Sequence, residues 1–254
     1  MHGQKGFSLV ELSIVILIMG LILGGIAMPL SVQRENVRIR EARELLEMVG
    51  ETLQGYALVN GFLPCPATPS SDGLAAPAGG ACVEQHGFVP ASTLGLAGSR
   101  NGDNLLLDPW ASPLRYSVSA ADVDGDGNWD FIVSGELREI GMANLTPDLS
   151  VCSTASGATA SACGSAATTL SSTSPLLIYS LGKDWASFAG ADQAENAGTT
   201  LGGGPSGSSY PIAANTVFVH RSRSEQSGNE FDDVLVWMSP LSLYQKLLIA
   251  GQLP

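Results

Sequence analysis

Apolar residues follow several different rhythms along this chain. Residues 7–30, FSLVELSIVILIMGLILGGIAMPL, form an almost unbroken apolar run with Glu11 as its one charge. At about 1.5 Å per residue, a helix of that length crosses roughly 30 Å of hydrocarbon. No small-residue cleavage site follows the run, so it is expected to stay on the protein as an anchor. Gly24, Gly25 and Pro29 interrupt it, and Pro29 cannot donate a helical hydrogen bond. The next stretch, 31–60, is polar and helix-prone. Ile39, Ala42, Leu46, Val49, Leu53 and Tyr56 recur there at steps of three and four, which predicts one apolar stripe on a helix. The stripe suits packing on the chain's own sheet or a coiled-coil partner, and the first is preferred. Asn60-Gly61 then predicts a stop, with Pro64 beyond it.

Shorter runs follow. Residues 114–120 alternate apolar and polar, and 131–137, 176–181, 216–221 and 233–238 are rich in β-branched or aromatic residues, so each is predicted as a strand. Between them, 150–174 and 190–209 are small and polar and are expected to be surface insertions. Near the C-terminus, Ser239 reads as a helix N-cap and Pro240 as the first helical residue. Residues 241–250 form its body and Gly251 its stop. The predicted architecture is α+β: a long N-terminal helix on an antiparallel sheet, with loop-rich insertions. Its divisions are 1–6, 7–30, 31–60 and an extracytoplasmic domain at 61–254.

Residues 61–113 are expected to be mostly irregular, with His86 in a surface loop. The four cysteines, Cys65, Cys82, Cys152 and Cys163, form no CxxC pair, which argues against a zinc site. An anchored domain outside the inner membrane sits where disulfides persist. Three connectivities are possible, and proximity favours Cys65–Cys82 with Cys152–Cys163. A net charge of −12 argues against a nucleic-acid partner, which needs a basic face. No nucleophile elbow, zinc-protease motif or phosphate loop is present, so no enzyme is predicted. Lys183-Asp184-Trp185 reads as a turn with a partly buried Trp.

One constellation carries chemistry. In DVDGDGNWDFIV, Asp122, Asp124, Asp126 and Asp130 occupy positions one, three, five and nine, with Gly125 and Gly127 allowing sharp turns. Hard oxygen donors at such spacing suit Ca²⁺, with the Asn128 carbonyl as a further contributor. The stretch resembles an EF-hand loop, except that Val133 stands where that motif has a bidentate Glu. It resembles more closely the Asp-x-Asp-x-Asp-Gly-x-x-Asp loop of integrin-type propeller repeats, which joins two strands. The alternative is an acidic hairpin turn, since Asp and Gly favour turns anyway.

The N-terminus is the most specific signal. A leader carrying Lys5 ends at Gly6, and Phe7-Ser8-Leu9-Val10-Glu11 opens the apolar run. This arrangement closely resembles the prepilin motif of type IV pilins and type II secretion pseudopilins. The resemblance implies cleavage by a prepilin peptidase between Gly6 and Phe7 and methylation of the new Phe7 amine. Glu11 would meet the Phe7 amine of a neighbouring subunit, since two opposite charges in apolar surroundings cost less together than apart. Asp108-Pro109-Trp110 with Pro113 and Tyr116 partly resembles the sheet entry of major pseudopilins. The expected function is a pilin-like subunit, a minor pilin or pseudopilin, that assembles with other subunits by helix packing. It would lie first in the inner membrane and then in a pilus or periplasmic pseudopilus. A membrane-tethered binding protein or adhesin is the alternative.

Overall fold

The computed structural model describes residues 8–77, 81–82, 84–187, 190–198 and 215–253, without the side chains of 23–31. In chain order the elements are α1 (Leu9–Asn60), β1 (His86–Phe88), β2 (Arg115–Val118), α2 (Glu136–Ile140), β3 (Leu149–Cys152), β4 (Thr169–Ser174), β5 (Leu176–Ser180), α3 (Ala191–Asn196), β6 (Val217–Val219), β7 (Val234–Trp237) and α4 (Pro240–Ile249). By internal contacts the chain divides into two compact units, Met1–Arg40 and Glu41–Pro254.

In the first unit, α1 is helical through Gly24, Gly25 and Pro29. Its large apolar side chains between Leu9 and Ile22 are exposed. Among the described residues no helix is long and apolar enough to cross a membrane. The span expected at 7–30 lies partly outside them: Phe7 and the side chains from residue 23 onward are not described.

In the second unit, the stripe on α1 is the seam between helix and sheet. Ala42, Leu46, Val49, Leu53 and Ala57 are fully buried and Tyr56 is half-buried, while Ile39, the first member of the expected stripe, belongs to the first unit and is half-buried there. A Cβ added at Gly50 would lie 3.4 Å from the Ile178 side chain, so helix and β5 are in close contact there. The stripe therefore packs on the chain's own sheet.

That sheet is antiparallel with order β1-β2-β5-β7. In β5 both faces are buried, which explains why Leu176, Leu177, Ile178 and Tyr179 show no alternation. Leu176 and Ile178 share a pocket lining with Glu47, Gly50 and Gln54 of α1. Leu177 and Tyr179 point the other way, into a cluster with Leu149, Val151, Phe218 and Leu235. This second face is covered by a three-stranded sheet, β4-β3-β6, in which β3 and β6 run parallel. The fold thus adds a mixed sheet to the antiparallel one expected.

Four expectations are corrected. Residues 131–137 form no strand: Phe131 and Ile132 are buried in a turn, Gly135 has φ 101°, and α2 follows. The stretch 150–174 holds the end of β3 and all of β4. Leu149, Val151 and Cys152 supply the buried side, while the Ser- and Thr-rich β4 is largely exposed at the sheet edge. Part of 190–209 is α3, and 199–209 lies outside the described residues. His86 is no surface loop residue: it lies in β1, buried, with Nδ1 2.8 Å from the Ser117 hydroxyl. Burial pushes its imidazole down to about 4.

The structure pairs Cys65 with Cys82 and Cys152 with Cys163, across 17 and 11 residues. The first closes the irregular segment after α1, and the second ties the end of β3 to the turn before β4. Closing a loop of this size contributes about 3 kcal/mol in the chain-entropy account. Thiol labelling of denatured, unreduced protein is expected to find no free cysteine, and labelling at all four would refute the pairing.

Candidate functional site

The acidic segment lies between β2 and α2. Each of its first three carboxylates caps the backbone just ahead of it. Asp122 accepts from the N–H of Gly125 at 2.8 Å and of Gly127 at 3.0 Å. Asp124 accepts from the N–H of Asp126 at 3.2 Å, and Asp126 from that of Asn128 at 2.7 Å. Gly125 and Gly127, with φ of 75° and 93°, make the coil tight enough to do this. As a result, one oxygen from each of Asp122, Asp124 and Asp126 lies within 4.8 Å of the others. Asn128 also gives its side-chain amide to Asp126 at 2.8 Å.

Asp130 stands behind these three. It is fully buried, and its Oδ1 accepts from the Val123 N–H at 3.3 Å. Burial raises its pKa, and the charges of Asp122, Asp124 and Asp126 raise it further. The loop joins a strand to a short helix, not two strands as its resemblance to propeller repeats implied. Sequence reasoning missed Glu136, the first residue of α2. It is 7% exposed, and its pKa is raised by burial and then by Asp126 and Asp124.

At the other end of the chain, Ser8 precedes the first residue of α1. The Ser8 N–H donates to Glu11 Oε2 at 2.9 Å, and the Glu11 N–H donates to Ser8 Oγ at 3.2 Å. This is a reciprocal capping box, in which two otherwise unpaired helix-start donors are satisfied. Its Ser-x-x-Glu signature is plain in the sequence, and it gives Glu11 a local role besides the expected one of meeting another subunit's amine. Gly6 and Phe7 lie outside the described residues. Around the box, Leu9, Val10, Leu12 and Ile14 are each more than half exposed.

A family profile, the prokaryotic N-terminal methylation motif, matches residues 1–27. The chain carries the prepilin motif. This is the N-terminal signature of type IV pilins and pseudopilins, and it implies a membrane-anchored precursor handled by a prepilin peptidase. No curated protein and no solved structure matches the chain.

Far along the chain from the prepilin motif, a second group of carboxylates is buried beside α3. Gln193 donates its amide to Asp184 at 3.0 Å and to Asp232 at 2.9 Å. Asn196 donates to Asp233 at 2.6 Å, and Asp192 pairs with Arg221. A Cβ on Gly182, φ 68°, would meet the Asp232 carboxylate at 2.4 Å, so only glycine lets that carboxylate reach its place. Burial pushes Asp232 up to about 7, helped by its hydrogen bond with Asp184, and burial raises Asp233 as well. These groups hold the crossing between α3 and the sheets. The turn at Lys183-Asp184-Trp185 joins them, with Trp185 partly buried against the inter-sheet cluster.

Proposed function

We propose that this chain is a structural subunit, a minor pilin or pseudopilin, that assembles through its N-terminal helix into a type IV pilus or a type II secretion pseudopilus. The observation that carries the reading is the prepilin motif at the head of a helix that is apolar on every side. Leu9, Val10, Leu12, Ile14, Ile16 and Leu17 are among its exposed side chains. A helix that is apolar all round belongs in lipid or among other helices. The inner membrane would hold it first, and neighbouring subunits afterwards. The chain's length and its insertions favour a minor or tip position, and no catalysis of its own is proposed.

The test has two parts. Mass spectrometry of the N-terminal peptide from native membranes should find Phe7 at the new terminus, methylated. An intact Met1 end in the mature pool would overturn the reading in favour of a tethered binding protein or adhesin. Glu11→Ala is expected to insert normally and to enter filaments at a small fraction of the wild-type level. Its removal strips the counter-charge from a neighbour's Phe7 amine and also breaks the capping box, a loss of about 1 kcal/mol. Glu11→Gln keeps an acceptor for the Ser8 N–H but not the charge. Wild-type incorporation of Glu11→Gln would therefore remove the charge-pairing role.

A further inference from the structure

The outer face of the three-stranded sheet carries a cavity bounded by the second disulfide. In β3, Leu149 and Val151 point into the inter-sheet cluster, so Ser150 and Cys152 point the other way. Cys152 is tied there to Cys163, and the loop around Cys163 forms one wall of the cavity. The same loop is pinned at the start of β6. The Thr216 N–H donates to the Ala160 carbonyl at 2.8 Å, and the Ser150 N–H donates to the Thr216 carbonyl at 2.8 Å. Between loop and sheet the cavity measures about 520 Å³. Small-molecule sites run from about 300 to 1,000 Å³.

Its polar groups are nearly all of one kind. Hydroxyls of Ser150, Ser161, Ser165, Thr169, Ser172 and Thr216 line it, together with the carboxylate of Asp148. No cationic or aromatic side chain lines it among the described residues. Thr169 and Thr216 donate to backbone carbonyls of the loop. Ser150 is 4% exposed, and its hydroxyl has no hydrogen-bond partner among the described residues. The hydroxyls of Ser161 and Ser172 have none there either. Asp148 is fixed from three sides. Its Oδ1 accepts from the Ala120 N–H at 3.2 Å, its Oδ2 from the Gln85 amide at 3.1 Å, and its own N–H donates to Ser119 Oγ at 3.1 Å. A carboxylate oxygen carries two lone pairs, so each of these keeps one for a ligand.

The wall selects by chemistry. A buried hydroxyl without a partner costs free energy that a ligand able to bond it recovers. Three unpaired hydroxyls, each able to donate and to accept, call for a ligand that does both at several points. A carboxylate with no cation beside it repels phosphates and carboxylates. A purely apolar ligand would leave Asp148 and the hydroxyls unpaired. A neutral sugar meets each of these conditions. We propose that this cavity binds a neutral saccharide, with Asp148 and Ser150 as its anchors. With no aromatic face for a sugar ring to stack on, binding rests on hydrogen bonds and is millimolar. The site is independent of the assembly proposed above, and its readouts do not involve filaments.

The experiment uses the full chain in lauryldimethylamine oxide, a detergent without a sugar head group. Glucose, galactose, mannose and N-acetylglucosamine are each titrated through the millimolar range and followed by saturation-transfer NMR. At least one should bind, with a millimolar Kd. Ser150→Ala should weaken that sugar at least ~3-fold yet melt like wild type, because the lost oxygen has no protein partner. Asp148→Asn should weaken it at least ~10-fold, since bonds to a charged group are the stronger ones. Asparagine keeps an acceptor for the Ala120 N–H, and Gln85 can turn its amide to meet the other end. Ser156→Ala, exposed on the same loop outside the cavity, should bind as wild type. A wild type that binds none of the four sugars would overturn the proposal. So would folded Ser150→Ala and Asp148→Asn chains that bind as tightly as wild type. Should Asp148→Asn fail to fold, Ser150→Ala decides alone.

Discussion

Asp108→Ala is expected to be among the most destabilising single substitutions in the globular unit. Asp108 is buried just before β2, and its carboxylate ties three places together. Oδ1 accepts from the N–H of Trp110 at 2.9 Å and of Ser112 at 2.8 Å, while Oδ2 accepts from the Ser180 hydroxyl at the end of β5. The same residue closes the turn with its backbone, its N–H donating to the Ser112 carbonyl at 2.9 Å. Alanine would leave buried donors unpaired on both the turn and the strand. At about 1–3 kcal/mol for each buried group left unsatisfied, the total is about 3 kcal/mol or more. For a chain of this size the melting temperature moves by roughly 2–4 °C per kcal/mol. Asp108→Asn keeps an acceptor for both backbone donors and should lose much less. Thermal or urea unfolding of the two variants decides it. If Asp108→Ala melts like wild type, the turn is held by something other than this carboxylate.

Asp232 and Asp233 are expected to make the globular unit more stable at pH 5 than at pH 8, against the opposite pull of buried His86, whose folded pKa is lowered to about 4. Asp232 and Asp233 have folded pKa values raised by burial, to about 7 for Asp232. The unfolded values are those of ordinary carboxyls, near 3.9. Between these limits the folded state binds more protons than the unfolded one, so stability falls as pH rises. For Asp232 the contribution is complete below about 3.9 and is lost as pH climbs through about 7. Lys183 works against the shift, through its N–H at 2.8 Å from Asp232 Oδ2, but does not cancel burial and Asp184. Melting curves in chelator between pH 5 and 8 measure the slope, and Asp232→Asn should flatten it. A melting temperature that climbs over that interval would show that these carboxylates do not govern the acid side of stability.

How much of this was legible in the sequence depends on how local the signal was. The α1 stripe was readable because Leu46, Val49 and Leu53 recur on one helical face whatever covers them. The strands β2, β5, β6 and β7 were readable because the expected stretches at 114–120, 176–181, 216–221 and 233–238 contain them. The helix α4 begins at Pro240 after Ser239, as the capping pattern required. The failures share a cause. In the segment from Phe131 to Leu137, apolar residues look strand-like, yet Phe131 and Ile132 are buried by a turn against Tyr244 and Leu63, over a hundred residues away in one case. The strands β3 and β4 were hidden because their pairing makes them strands, not their composition: β3 runs parallel to β6 across more than sixty residues. In the acidic loop, the four aspartates were visible as a pattern, but their spacing gave no sign that Asp130 is fully buried behind the other three.

The capping box at the start of α1 bears on the order of events in maturation. It is built from Ser8 and Glu11 alone, and both lie downstream of the proposed cut between Gly6 and Phe7. Removing the leader would thus leave both hydrogen bonds of the box in place. What changes is the amine it exposes, one residue ahead of the cap, at the positive end of the helix, where a cation is unwelcome. Glu11 is held in place by its own cap within the first turn. Precursor and mature chain would share this capping box and differ in the charge at the terminus ahead of it. Cutting would then act as a licence for association rather than as a refolding step.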